Sequence, residues 1–476
     1  MKQTKLRTYT IKTNKNITFP IGTVIAVQKY YQKLDLASVF GKHKKRGIDI
    51  NSLIQALVSY KLTENQSISK GSEWINRKEV LEEFCLEEFE ERTLFRTLET
   101  VGANREQIML DLQDSLFARY DFPHTNSNMD WTSFILYGEK CPLGKYGYSR
   151  NHRPDKKQIT VGIGELASPI NVPFGLTIKP GNLNDQKHFR ETFDQIKRKL
   201  RDGSLVTYDR GGNSKENNES VIADKMKYLT GKKLNKSDDK RIKALDKQKA
   251  KLVDKKNGVY GIKYRFPSRI DYFYFSETLK KEQIESSIRA AQKKFEEAKL
   301  LQDCLDRHKE LPAKFRIKNE LVDITYSYQT KLKELGEKEA LEYVTKHTIS
   351  GREGFFCLTS SEDLTLEQAL ETYRQKDSIE KLINSLKNEI EIKPLRVWTE
   401  NSIYGAILIG FLAQLVISLI RYDHKELKHT SVKFIKISLM NLTVTVEFLP
   451  HRVKREIFAN FDPLNELILG AKTAET

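Results

Sequence analysis

An α/β fold, built as a mixed sheet with flanking helices, is predicted by three features of this chain. Between residues 129 and 209 the hydrophobic pattern reads β-β-β-α-β, which is the opening order of an RNase H-like fold. The stretch ETYRQKDSIEKLINSLK, residues 371–387, reads as an amphipathic helix with one carboxylate set among cations and a phenol on its polar face. Residues 23–120 read mostly as helix, with Ile50, Leu53, Ile54, Leu57 and Val58 giving an i, i+3, i+4, i+7 series.

In chain order, residues 1–20 are basic and β-like. Residues 1–122 form a mostly helical N-terminal region suited to DNA binding or to dimerisation, and no recognition helix stands out. Residues 123–230 hold the first part of the sheet. MDWTSFIL, 129–136, reads as a strand and contains Asp130. A Gly-, Lys- and Arg-rich loop follows, with Lys145, Arg150 and Arg153. Two strands, 159–166 and 172–179, lead to GNLNDQ, where Asp185 reads as the cap of a helix over 188–200. A short apolar strand, 205–208, then ends at Asp209 before a Gly-Gly turn, an exposed place at a sheet's carboxyl edge. First and fourth strands are neighbours in such a fold, so Asp130 and Asp209 are expected to converge. Asp121 and Asp155 compete with Asp130, and a turn or capping role is the alternative for either aspartate.

A helix over 214–225 and a fifth strand over 227–230 come next. Residues 231–365 read as a strand-containing insertion with a charged helix at 280–305. Its start is cationic: residues 225–256 hold thirteen Lys or Arg against four Asp. That run suits a DNA path or, equally, a solvated segment. Residues 366–425 complete the core, and 426–476 form a helical tail. Ile403 to Ile420 is apolar for 18 residues, the length of a membrane span. It is read instead as a buried helix against the mixed sheet, because no second span exists.

The chain has 476 residues, a net charge of +17 and a pI near 9.3, which favours a polyanionic partner, nucleic acid before membrane. Four cysteines without CxxC spacing read as free thiols in a reducing cytoplasm, and the N-terminus has no apolar signal region. There is no GxxxxGK[ST] phosphate loop, which argues against a nucleotide-driven motor.

At about 100° per residue, Tyr373, Lys376, Glu380 and Lys387 fall within a roughly 60° sector. Glu380 there suits a divalent cation, and the two lysines suit phosphate oxygens. The plain alternative is a solvated face with an ordinary Lys376–Glu380 pair. The spacing Tyr373-x2-Lys376-x3-Glu380-x6-Lys387 resembles the Y-x2-R-x3-E-x6-K signature of a branch of DDE insertion-sequence transposases, with Lys where that pattern has Arg. MDWT, GYSRNHRPDKKQITVGI, PGNLND and TYDRGGNSKENN add to the likeness, which covers about 125–230 and 354–420. The resemblance implies an RNase H-like catalytic core whose Asp130, Asp209 and Glu380 bind two Mg²⁺ ions, with Mn²⁺ as a substitute. It implies cleavage at transposon ends and transfer of 3′ ends to target DNA, by a homodimer on double-stranded DNA. Tyr373, Lys376 and Lys387, with Lys145, Arg150 and Arg153 of the loop, are the expected DNA contacts. A stand-alone nuclease of the same fold, or an inactive DNA-binding regulator, are the alternatives.

Overall fold

The computed structural model describes residues 17–64, 66–137, 141–147, 153, 155–243, 245, 250–307, 317–319, 322–324, 330–332, 342, 345–346, 349–390, 397–448 and 454–470. The chain divides into two compact units. One comprises Asp121–Ile383 and Lys393–Glu400; the other comprises Met1–Tyr120, Asn384–Ile392 and Asn401–Thr476.

The first unit is built on a nine-stranded mixed sheet. Numbered along the chain within it, the strands are β1 (Ser127–Ile135), β2 (Gln158–Leu166), β3 (Pro173–Pro180), β4 (Leu205–Tyr208) and β5 (Lys227–Lys232). Then come β6 (Lys251–Asp254), β7 (Val259–Phe266), β8 (Arg269–Ser276) and β9 (Phe355–Ser360). Their spatial order is β3-β2-β1-β4-β5-β9-β8-β7-β6. The first five give the 3-2-1-4-5 order expected of an RNase H-like sheet, antiparallel across β1–β3 and parallel from β1 through β4 to β5. Strands from the region read as an insertion continue the same sheet: β9 pairs antiparallel with β5 and carries β8, β7 and β6 beyond it.

Two faces of this sheet are distinct. Trp131 of β1 and Tyr208 of β4 point to the helix Asp185–Ile196, where Phe189 meets both rings at 5.8 and 4.8 Å between centroids. The Trp131 indole also donates to Thr192 at 3.0 Å. Gly162, opposite Trp131 on β2, leaves room for that ring: a Cβ there would lie 2.9 Å from the indole and 2.4 Å from the Thr192 hydroxyl. Side chains alternate along a strand, so Asn128, Asp130 and Thr132 face the other way. Helix Leu366–Gln375 covers that second face, with Ala369 and Leu370 packed on Leu205, Leu229 and Leu358.

The stretch read as one helix over 371–387 is two helices, Leu366–Gln375 and Asp377–Asn388, broken at Lys376. Its backbone makes i→i+3 bonds there, Lys376 to Tyr373 and Ile379 to Lys376, which tighten the chain into a turn. The expected apolar face holds: Ile379, Leu382, Ile383, Leu386 and Ile390 are all buried. Asn184, rather than Asp185, caps the helix after β3, accepting from the Lys187 amide; Asp185 is the first helical residue.

The second unit is helical and draws on both ends of the chain. Strand Ile17–Pro20 pairs antiparallel with Thr443–Phe448, so the C-terminal tail is not a separate body. The apolar helix Glu400–Asp423 belongs to this unit, where it was expected against the catalytic sheet. It is long and apolar enough to cross a membrane, and its most apolar window is 94% buried. The reason lies in its small residues. A Cβ on Gly405 would stand 2.3 Å from the Leu98 carbonyl oxygen, and Gly102 meets the Asn401 carbonyl as closely, so helix Arg92–Ala103 seats directly on this one. The polar side chains in its apolar stretch are paired: Ser385 donates to Gln414, and Gln414 to Ser418. Gly405→Ala is therefore expected to lower unfolding free energy by about 1–3 kcal/mol through overpacking. Denaturant unfolding checks this; an unchanged midpoint would mean that the two helices are not closely seated.

Candidate active site

Strand β1 and strand β4 run parallel with Met129 opposite Tyr208, the last registered pair. One residue further on each strand stand Asp130 and Asp209. Neighbouring strands are about 4.8 Å apart, so the register sets these two carboxylates side by side. Asp209 shares the parity of Leu205, which packs on the helix Leu366–Gln375, and the Tyr373 hydroxyl of that helix donates to Asp209 Oδ1 at 3.0 Å. Of the competing aspartates, Asp121 is exposed and lies before β1, and Asp155 is held in a bidentate pair by Arg153 at 2.7 and 2.6 Å.

Glu380 enters from the first turn of the helix Asp377–Asn388, with its side chain more than half exposed. Lys376 donates to Glu380 Oε1 at 2.7 Å, yet Lys376 itself is only 3% exposed. Burial pulls the Lys376 ammonium down. Attraction from Asp130, the hydrogen bond and charge of Glu380, and the charge of Asp209 outweigh it and hold the ammonium above its ordinary value. One cation thus lies in the field of all three carboxylates. Burial, then the charge and hydrogen bond of Asp209 and the charge of Glu380, push the Tyr373 phenol up, so it stays a neutral donor.

Among the described residues, no three acidic, imidazole or thiol groups close on one point tightly enough to grip an ion. Lys376 bonds Glu380 directly, and the charges of Asp130 and Asp209 also reach its ammonium. A set of hard carboxylate oxygens that already attracts a cation has the chemistry that Mg²⁺ or Mn²⁺ requires.

The other expected contacts are placed less uniformly. Lys387 is half-buried two turns after Glu380 on the same helix. Lys145 is exposed and bridges to Gln158 at the start of β2 through its backbone. The guanidinium of Arg153 is engaged by Asp155. Arg150 lies outside the described residues. A cleft of about 320 Å³ opens beside the aspartate edge, lined by Thr132, Thr160, Asn182, Asn184, Asp185 and Gly211.

Glu165, which sequence reasoning missed, sits beneath this edge. It lies on β2 opposite Asn128 and is fully buried. Its Oε1 accepts from Asn128 Nδ2 at 3.0 Å and from the hydroxyl of Ser378, two residues before Glu380. Burial pushes its carboxyl up to about 7 against those two hydrogen bonds and the Lys376 charge, and the charge of Asp130 adds to the rise. The available signal was an acidic residue inside the strand ITVGIGEL, where every other residue but Thr160 is apolar or glycine.

The 3-2-1-4-5 sheet, with two aspartates side by side at one edge, has the order of an RNase H-like fold. The chain matches the family model described as Transposase DDE domain over residues 128–416, more than half its length, and belongs to that family. It is a DNA transposase, an enzyme that cuts and transfers DNA strands. A cryo-EM structure of the piggyBac transposase synaptic complex with hairpin DNA is similar at 12% identity and a TM-score of 0.42, over 90% of this chain and 81% of that one. No curated protein matches the chain.

The raised Glu165 carboxyl has a consequence for stability. Its folded value lies above the ordinary 4.5, so the native state holds a proton that the unfolded chain has lost, and stability falls as pH rises from about 4.5 to about 7. Glu165→Gln removes that penalty and keeps the Oε1 acceptor. Its unfolding free energy is expected to equal wild type near pH 4.5 and to exceed it by roughly 3 kcal/mol above pH 7. A difference independent of pH in denaturant titrations would contradict this.

Proposed function

We propose that Asp130, Asp209 and Glu380 are the carboxylates through which this transposase binds divalent metal and acts on DNA. The observation that carries the reading is the parallel register that sets Asp130 beside Asp209, with the buried Lys376 bonded to Glu380 on the helix that follows. Two Mg²⁺ ions, or Mn²⁺ in their place, would be held by these residues, and when bound would activate a water or 3′ hydroxyl and stabilise the leaving oxygen of an in-line displacement. The chain's own residues do the rest. Tyr373 orients Asp209 through its hydrogen bond. Lys376 neutralises the carboxylates until the site is loaded, and its ammonium then suits a phosphate oxygen. The cleft beside Asp185 and Gly211 gives a strand room next to the reacting edge. The substrate is double-stranded DNA at transposon ends and then at the target, bound by a homodimer that presents two ends together, in the cytoplasm.

In the cationic run, five members already face acids: Lys225, Lys227, Lys232, Arg241 and Lys251. Lys233, Lys236, Lys240, Lys243, Lys255 and Lys256 are exposed and form the part of the run that suits a phosphate path. Neutralising those six is expected to flatten the dependence of DNA affinity on salt, by about 0.9 in log–log slope for each phosphate that the run neutralises. Unchanged slope would show the run to be merely solvated.

Glu380→Gln keeps size and hydrogen bonding but removes the charge. The variant is expected to fold and bind ends, yet neither cleave nor join them on labelled DNA. Lys376→Arg keeps the charge and adds a bidentate fork, so it is expected to retain or raise activity. Robust strand joining by Glu380→Gln would remove the assignment. Cut strands that are never joined by the wild-type enzyme would mean a nuclease, and a shifted band without chemistry a regulator.

A further inference from the structure

Glu165 is a costly residue for its place. It is 0% exposed, and among the described residues no ammonium or guanidinium pairs with it at contact distance. Its second oxygen, Oε2, has no hydrogen-bond partner among the described residues. A buried carboxyl so placed destabilises a fold relative to an apolar residue of similar volume. Packing alone gives no reason for it.

Its contacts do. Asn128 stands opposite Glu165 on β1, two residues before Asp130 and on the same face. Asn128 Nδ2 reaches Glu165 Oε1 at 3.0 Å and the Ser378 hydroxyl at 3.3 Å. Ser378 donates to the same Oε1 and lies two residues before Glu380, in the first turn of the helix Asp377–Asn388. One oxygen therefore ties the strand that carries Asp130 to the helix that carries Glu380. The helix end is suited to it, because first-turn amides favour a nearby carboxyl. The break at Lys376 makes such a tie necessary: this helix is not continuous with Leu366–Gln375, so its direction is not inherited from the helix packed on the sheet.

We propose that Glu165, Asn128 and Ser378 form a positioning clamp that fixes Glu380 relative to Asp130 and so sets the geometry in which the carboxylates receive a divalent cation. Glu165 touches neither substrate nor metal; it acts through the two elements it joins. This rests on the reading of Asp130, Asp209 and Glu380 as the metal-binding set. Side chains that orient ligands in this way typically govern metal affinity by roughly 10–100-fold.

The test is Mn²⁺ binding to the full-length protein on a DNA end, followed by electron paramagnetic resonance, alongside end binding by gel shift and cleavage across a Mg²⁺ series. Ser378→Ala and Glu165→Ala are expected to weaken Mn²⁺ binding about tenfold or more and to raise the half-maximal Mg²⁺ concentration in step, with end binding unchanged. Glu165→Gln, which keeps the accepting oxygen, is expected to stay within about twofold of wild type, a margin small beside that effect. If Glu165→Ala does not fold, Ser378→Ala, at a half-exposed position, carries the comparison. Wild-type Mn²⁺ affinity in Ser378→Ala would overturn the clamp, as would Glu165→Gln falling to the level of Glu165→Ala. Glu380→Gln is titrated beside them. If it abolishes Mn²⁺ binding while Ser378→Ala leaves it intact, only the clamp fails. If Glu380→Gln also binds Mn²⁺ normally, the metal site itself is misassigned and the clamp falls with it.

Discussion

The parallel register that sets Asp130 beside Asp209 is the constraint around which this sheet edge is arranged. Two like charges 4 Å apart repel by about 4 kcal/mol at the effective dielectric typical of a protein surface. The parallel register of β1 and β4 nonetheless brings Asp130 and Asp209 together, and the helix after Lys376 adds Glu380. The protein offsets the cost with one buried ammonium, which the combined field keeps charged despite its burial. In the proposed role that cost has a use, because the charge density that repels without metal is what binds metal.

The supporting structure divides the work between the two faces of the sheet. On one, Trp131, Tyr208 and the aromatic helix Asp185–Ile196 lock β1 and β4 by dense packing. On the other, polar side chains of the same strands meet the helices on either side of Lys376. Rigidity therefore comes from the face opposite the carboxylates. The sheet's extension through β9 and β8 thickens the support: Lys232 of β5 is held between the buried carboxylates of Asp238 and Asp271, which anchors the start of the cationic segment.

Much of this was legible in the sequence, for physical reasons. Hydrophobic runs bounded by turn residues marked β1 to β5 and their connecting helix, and the β-β-β-α-β order implied that β1 and β4 are neighbours. Asp209 was visible because it ends an apolar strand at a Gly-Gly turn. Illegible features depend on contacts distant in sequence. Nothing local says that β9 pairs with β5 across more than a hundred residues, or that Gly405 seats the apolar helix on Leu98. The helix break at Lys376 was hidden because its residues are good helix formers; a buried ammonium and a tightened turn override propensity there. Glu165 was passed over because its meaning lies in Asn128 and Ser378, on two other elements.

A structure of the transposase on a DNA end with Mn²⁺, read by anomalous scattering, tests whether the carboxylates around Lys376 hold a divalent cation. Manganese is expected on Asp130, Asp209 and Glu380, with the Lys376 ammonium turned away from Glu380 towards a phosphate oxygen. Manganese bound elsewhere, with the Lys376–Glu380 pair intact, would contradict it.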